Sequence, residues 1–525
     1  MTRTLTTSGD RPLELVWRNV TTRYVSIGVD GVIGLLLLPF TIAHLGASEY
    51  GLWALATSVT WFFGVLDLGY GGALARFIAR YRAWQDRTAL NEIVSTVGCV
   101  YAALGAICFF VTLAIAWWVE ALFNIAPNQV ATAQSVLLIV GAYLSIRFPF
   151  AIFGGVVYAF QRSYRNNLAS IVASVGVALV TVLMLRAGHG LVGLVAATTA
   201  VRALSLGAFT WNAYRVFPEL QVSPWLFRRN RLHEVTGFSV YMFILDCAAK
   251  LNYSADALVI GAMLNTAAVA VWTVGQRVAQ FTQQLTGQIT DALFPVVVDS
   301  DAAQRQERLQ AILIQGTRVS LAFAAPVCVG LIVLADPLID AWMGARFSAS
   351  VLPTRLLLGV VLVRAATSSA NVILKGAGRH KLLAWTNASA AIANVVLSVS
   401  LVGPLGLTGV AIGTFVPVTL SALLVLYPAA CRRVGLGLRR AVADAIWPAA
   451  WPAAVTAGVL WIERAFHAGS MIEIAVMLAI GAIVYAGLFI GLAIARDERR
   501  VYLLKLQTLL IARREPPPTP RLVAD

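Results

Sequence analysis

Charged residues are scarce in this sequence: only 12% of its 525 residues are Asp, Glu, Lys or Arg, whereas a soluble domain typically carries about 25%. Hydrophobic residues make up 59% of the chain, and the mean hydropathy is +0.78. This composition excludes an ordinary soluble globular protein. The apolar runs also lack the alternation of apolar and polar residues that marks a transmembrane β-barrel. The sequence therefore predicts an all-α polytopic membrane protein.

Histidines and cysteines are few and isolated. The five cysteines stand singly and form no CxxC pair, which argues against a disulfide framework or a zinc site. The sequence contains no Ser/His/Asp grouping, glycine-rich phosphate loop or metal-ligand cluster. The longest loop predicted on the outer side, 336–351, is too short for a catalytic domain. We therefore expect neither an enzyme nor a bound cofactor or metal.

Apolar stretches of roughly 20 residues, each long enough to cross a bilayer, recur along the whole chain. Backbone polar groups in lipid must bond within their own segment, so these stretches should be helices. We predict about fourteen spans. They cover residues 24–45, 50–71, 94–119, 133–158, 167–186, 191–214, 236–262, 268–296, 310–335, 352–374, 382–402, 407–428, 448–464 and 473–495.

The basic residues predict the orientation of these spans. With the N-terminus in the cytoplasm, about three quarters of the 40 Lys and Arg residues fall on the cytoplasmic side, as the positive-inside rule requires. The opposite side holds only Arg186, Arg346 and Arg464. Both termini are therefore predicted to be cytoplasmic. The net charge of +15 is spread over alternate loops and not gathered in one basic stripe, which argues against a nucleic-acid partner.

Two segments of the first half recur in the second half at an offset of about 217 residues. LGASEYGLWALA from Leu45 aligns with LNTAAVAVWTVG from Leu264, and GLVGLVAAT from Gly190 aligns with GLTGVAIGT from Gly406. Spans 1–6 thus look duplicated as spans 7–12, which would give parallel repeats around a central cavity, as in transporters. The predicted organisation is an N-terminal segment (1–23), an N-lobe (24–214), a linker (215–235), a C-lobe (236–428), two added spans with their preceding loop (429–495) and a tail (496–525).

Four cations lie near the centres of predicted spans: Arg147, Arg202, Lys250 and Arg364. Each would cost roughly 2.5–3.5 kcal/mol if it faced lipid, so each needs a wet cavity or a partner. Arg147 and Arg364 occupy equivalent positions in the two halves and could form a clamp for phosphate or pyrophosphate, because guanidinium offers forked donors. Two alternatives stay open: structural ion pairs within each half, and a misassigned helix face.

The nearest acids inside the spans are Asp30, Asp246 and Asp256. We treat them as candidates for coupling transport to a proton or sodium ion. Asp246 and Lys250 stand four residues apart, which is equally consistent with a self-neutralising pair. Asp30 could instead pair with Lys250 or an arginine. Asp67, at the end of the second span, is expected to position a loop.

The tail is predicted to form an amphipathic helix. Its apolar residues lie among Arg and Lys, and prolines from Pro516 end the pattern; they are Val501, Leu503, Leu504, Leu506, Leu509 and Leu510. Such a helix could lie on the anionic inner leaflet. A solvated helix fits the pattern nearly as well.

Four segments resemble the oligosaccharide flippase family, also called O-antigen-type polysaccharide exporters, of the multidrug/oligosaccharidyl-lipid/polysaccharide (MOP) superfamily. They are LGASEYGLWAL from Leu45, LDLGYGGALARFIARY from Leu66, GVVYAFQRSYRNN from Gly155 and LNYSADALVIGAML from Leu251. The resemblance covers about spans 1–12.

This resemblance implies two six-helix lobes around a cavity. It also implies ion-powered flipping of a polyprenyl-pyrophosphate-linked oligosaccharide to the periplasmic leaflet of the bacterial inner membrane, with membrane lipids and glycan polymerase or ligase machinery as partners. Two alternatives are a MATE-like drug exporter, to which Asp30 could supply the coupling acid, and a lipid II-type flippase.

Overall fold

The computed structural model describes residues 12–63, 67, 70–236, 255–291, 293–464 and 469–493. Every regular element within these ranges is helical, which confirms the predicted all-α fold. The predicted tail (496–525) and two of the candidate site residues, Asp246 and Lys250, lie outside the described residues.

Nineteen helices are labelled here in chain order. They are α1 (Pro12–Leu45), α2 (Ala47–Phe62), α3 (Tyr70–Ala83), α4 (Arg87–Trp117), α5 (Val119–Leu122), α6 (Val130–Ala159), α7 (Ser163–Arg186), α8 (Leu191–Val216), α9 (255–263), α10 (Thr266–Asp291), α11 (Phe294–Ala302), α12 (Gln306–Val333), α13 (Ala335–Met343), α14 (Val351–Gly376), α15 (His380–Leu420), α16 (Tyr427–Arg433), α17 (Leu438–Ala441), α18 (Trp447–Glu463) and α19 (Met471–Leu488).

Ten of the described helical segments are long and apolar enough to cross a membrane, so the chain is a multi-pass membrane protein. One of them, Lys381–Arg433, contains the predicted spans 11 and 12 as two helical limbs that meet at a sharp kink and pack against each other. The kink lies at Gly406, whose φ of +56° is a left-handed conformation that glycine adopts easily. Predicted span 2 is not among these ten segments because α2 has only 16 residues. Predicted span 8 is not among them because α10 carries many polar residues.

The second predicted span, 50–71, is wrong at its far end. Helix α2 stops at Phe62, and a separate helix, α3, runs from Tyr70 to Ala83. Tyr70, Leu74, Phe77 and Tyr81 are all buried on one face of α3, and that face packs on α4 and α6. The prediction missed α3 because three arginines on its other face interrupt the apolar run. The predicted loop 336–351 is likewise mostly helical, as α13 and a 3-10 turn.

The two halves pack in corresponding ways. In the N-lobe (α1–α8), α4 packs on α6 and α6 on α8; in the C-lobe (α9–α16), α12 packs on α14 and α14 on α15. Helices α2 and α10, which correspond in the predicted repeat, form the main contact between the lobes. We call the end of the bundle with the α1–α2 and α9–α10 turns the outer end, and the opposite end the inner end.

The lobes are closed against each other at the outer end. The hydroxyls of Ser48 and Thr266 are 2.9 Å apart. Asn124 donates from its backbone N to Gly261 O (3.1 Å) and from Nδ2 to Leu264 O (2.6 Å). Gly51 approaches so closely that a Cβ atom there would lie 1.6 Å from Thr266 O. This tight packing forms an outer seal.

A proline in α1 supplies one more contact between the lobes. Pro39 has no N–H and cannot bond the Leu35 carbonyl one turn earlier. The indole Nε1 of Trp342, on α13, donates to that oxygen at 2.9 Å. The proline therefore leaves the Leu35 carbonyl oxygen available, and Trp342 of the C-lobe donates a hydrogen bond to it.

Candidate functional site

Asp256 and Arg364, two of the predicted site residues, share one cavity inside the C-lobe. The cavity has a volume of about 40 Å³ and lies between α9, α10, α14 and α15. A cavity of about 10–15 Å³ on this measure already holds a water molecule, so this one has room for water or a small ion.

Asp256 lies in a buried cluster of oxygen ligands. Thr414 Oγ1 donates to Asp256 Oδ2 at 3.0 Å, and Asn394 Nδ2 donates to Thr414 Oγ1 at 3.1 Å. Ser398 Oγ is 3.4 Å from the Val410 carbonyl oxygen. These residues come from α9 and from both limbs of α15, so the kink at Gly406 brings the cluster together.

Two buried polar atoms that line this cavity have no hydrogen-bond partner among the described residues. They are Asp256 Oδ1 and Trp272 Nε1, and both side chains are at most 2% exposed. Buried polar groups almost always have a partner. A carboxylate oxygen next to an ion-sized space therefore makes this cavity a candidate cation or proton site.

Arg364 points into the same cavity, and its NH1 donates to Gln283 Oε1 of α10 at 3.1 Å. It thus lies behind α10, within the C-lobe. Its predicted counterpart Arg147 is exposed on α6. The two arginines have different surroundings, and the clamp between them stays a prediction.

Arg202 occupies an unusual place on α8. Leu191, Val195, Thr198 and Leu206 recur at helical spacing on one face and are each at most 6% exposed. Arg202 belongs to the same face, yet its side chain is exposed. An exposed cation in a stripe that otherwise packs against protein makes Arg202 a candidate residue for a polar opening in the N-lobe.

Arg147 lies at the same transition on α6. Ala133 and Leu137 are buried in the cluster that also contains Leu191 and Val195 of α8. Further along the same face of α6, Arg147 and Ala151 are exposed. On α6 and on α8, the arginine therefore lies next to the buried part of its helix face, at the point where side chains become exposed.

The acids of the first two spans have local partners. Ser174 Oγ of α7 donates to Asp30 Oδ1 at 2.5 Å, which ties α1 to α7. Asp67, between α2 and α3, accepts a hydrogen bond from the Tyr101 hydroxyl of α4. That contact agrees with the expectation that Asp67 positions a loop.

Sequence reasoning missed Arg277, a further cation inside a predicted span. It lies on the face of α10 that carries Ala270 and Phe281, and this face meets the N-lobe at Gly51 and Gly31. Arg277 is exposed, just below the outer seal. The signal was available, because Arg277 stands well inside the predicted span 268–296.

A large apolar groove was also unforeseen. It has a volume of about 550 Å³ and lies between α12, α14 and α18. Leu321, Ala325, Leu362, Ala449 and Ala453 are among the side chains that line it. It runs along the helices at membrane depth, so it would accept hydrocarbon.

Comparisons with known proteins show which family the chain is similar to. A family model described as "Polysaccharide biosynthesis protein" matches residues 44–352. The probable flippase AglR of Haloferax volcanii is 21% identical over 75% of this chain and 79% of its own length. The probable low-salt glycan biosynthesis flippase Agl15 of the same organism is 19% identical over 34% of this chain and 38% of its own.

Solved structures show the same fold. The lipid II flippase MurJ in an inward closed conformation matches with a TM-score of 0.69 and 14% identity, over 89% of this chain and 98% of its own. An inward-facing MATE-family transporter of the MOP superfamily matches with a TM-score of 0.62 and 17% identity, over 77% and 94%. The chain thus has the fold of these MOP-superfamily proteins, and it belongs to the polysaccharide biosynthesis protein family.

Proposed function

We propose that this protein flips a polyprenyl-pyrophosphate-linked oligosaccharide from the cytoplasmic to the periplasmic leaflet of the bacterial inner membrane, by ion-coupled alternating access. The observation that carries the proposal is a set of exposed arginines on helix faces that pack against protein elsewhere along their length. Arg202 and Arg147 lie on such faces of α8 and α6, and Arg277 lies just below the outer seal. Cations there favour an anionic head group.

The apolar groove supplies the second requirement. A polyprenyl chain must stay in hydrocarbon while its head group crosses. The groove between α12, α14 and α18 is apolar along its length and lies where α18 packs on the C-lobe, near Arg364 of α14. Burial of each CH₂ group there would contribute about 0.8 kcal/mol.

The Asp256 cavity supports ion coupling. Its carboxylate, two hydroxyls and the Val410 carbonyl are the oxygen ligands that a sodium ion would use, and the same carboxylate could carry a proton. Asp30, on α1, is a further candidate for ion coupling. Asp246 lies outside the described residues, and its part in coupling stays a prediction.

A MATE-like drug exporter and a lipid II-type flippase are the alternatives. A transporter of organic cations would need acidic and not basic residues on the open faces, which argues against the first. A lipid II-type flippase would also need a site for an anionic head group. The arginines therefore suit both kinds of flippase, and only the identity of the lipid-linked substrate distinguishes them.

The test compares Arg147→Ala and Arg202→Ala with Arg186→Ala. The last removes an exposed arginine at the end of α7, away from the proposed opening. Loss of one charge-assisted contact should lower export about 10- to 100-fold. The measurements are surface glycan, membrane level of the protein and the leaflet that holds the lipid-linked oligosaccharide. Full export in both cavity variants, or a defect confined to extrusion of cationic dyes, contradicts the proposal.

A further inference from the structure

Helix α10 is unusually rich in glutamine for a helix that is predicted to cross a membrane. Between Thr266 and Asp291 it carries one arginine and no acid before its last residue. Its glutamines are Gln276, Gln280, Gln283, Gln284 and Gln288. A primary amide in hydrocarbon without a hydrogen bond costs several kcal/mol, so these side chains need polar surroundings.

Two of the glutamines share a face with Arg277. Gln280 follows Arg277 by three residues and Gln284 follows it by seven, which places all three on one stripe. Phe281, which meets the N-lobe beside Gly31, lies next to this stripe. The stripe therefore faces the cleft between the lobes and not lipid.

The amides of this stripe have no protein partner among the described residues. Gln284 is exposed and Gln280 is partly exposed, and neither side chain forms a hydrogen bond within those ranges. Gln276 and Gln283 line the small cavity of Asp256 and Arg364, and Gln280 borders that cavity as well. Gln280, which is partly exposed, thus lies at the boundary between the edge of α10 that lines the cavity and the edge that carries Arg277 and Gln284.

We propose that Gln280 and Gln284 form a subsite for the sugars that follow the phosphate of the substrate. An amide both donates and accepts, which suits sugar hydroxyl and N-acetyl groups, whereas Arg277 suits the phosphate. A rise of 1.5 Å per residue separates Arg277 from Gln284 by about 10 Å, roughly the length of two sugar rings. The inference rests on the proposed function and adds which residues recognise the glycan.

The test measures binding of two probes to the purified full-length protein: a short-chain prenyl pyrophosphate, and the same compound carrying N-acetylglucosamine. The wild type should bind the sugar-bearing probe about tenfold more tightly, the effect of one to two hydrogen bonds. The double variant Gln280→Leu/Gln284→Leu should lose this difference and keep its affinity for the bare probe. Thr282→Val is the control, since the Thr282 hydroxyl is buried and bonds within its own helix.

Three results would overturn the inference. Equal affinity of the wild type for both probes refutes the glycan subsite alone. A similar loss for both probes in the double variant, but not in Thr282→Val, shows that the amides hold the helix or the phosphate. Failure of the wild type to bind either probe refutes the proposed function, and the glycan subsite with it.

Discussion

Replacement of Gly51 by alanine should open the outer end of the protein. A Cβ atom at Gly51 would lie 1.6 Å from Thr266 O and 2.6 Å from Thr266 C. Ordinary contact begins at 3.4 Å, so α2 and α10 would have to separate by about 2 Å, which a close-packed interface resists. Overpacking of this kind costs about 1–3 kcal/mol. Because the cost falls only on the closed state, outer-open molecules should become about 5- to 150-fold more frequent.

Labelling of a buried cysteine measures this shift. Val274 of α10 is fully buried in the cluster that includes Tyr50 and Ala270. In a cysteine-free background, Val274→Cys should react with a membrane-impermeant maleimide from the outer side much faster when Gly51→Ala is present. Gly34→Ala is the matched control, because no atom lies within 4 Å of the Cβ it would add. Equal protection of the cysteine in both variants, with intact transport, would refute the account of the seal.

Two further outcomes are expected. Asp256→Asn should abolish the dependence of transport on the ion gradient while membrane insertion is kept, measured as flipping in vesicles with and without imposed sodium and proton gradients; unchanged dependence on both ions would exclude Asp256 as the coupling site. Arg318→Leu should lower the free energy of unfolding by about 2–3 kcal/mol, because Arg318 is buried and donates to Asp444 O at 3.0 and 2.6 Å. Thermal unfolding in detergent measures this loss, and Arg440→Leu serves as the exposed control. Equal melting temperatures of the two variants would contradict the prediction.

The sequence alone predicted the membrane spans well, because length and hydropathy decide whether a helix crosses a bilayer. Helix α3 escaped because its arginines lie on one face only, and its buried face is defined by packing on α4 and α6. The offset between the halves paired Arg147 with Arg364, but a repeat in sequence does not fix which way each side chain points. Its two positions have diverged, one exposed and one held by Gln283.

The surroundings of Asp256 could not be predicted from the sequence. Its carboxylate was visible as an acid inside a span, whereas its partner Thr414 lies 158 residues away. A helix brings together residues three or four apart, but the meeting of α9 with the two limbs of α15 depends on the kink at Gly406. Such long-range contacts follow from tertiary packing, which one sequence does not reveal.

Helix α10 connects the two halves of the proposed mechanism. One of its edges lines the cavity of Asp256 and Arg364, the adjacent edge carries Arg277 and Gln284, and Gln280 lies at the boundary between them. A close-packed helix moves as a unit and does not deform residue by residue. An ion that binds at Asp256 and displaces this edge of α10 must therefore also move the edge that meets the substrate. Linkage makes the effect reciprocal, so bound substrate must change the affinity for the ion by the same factor.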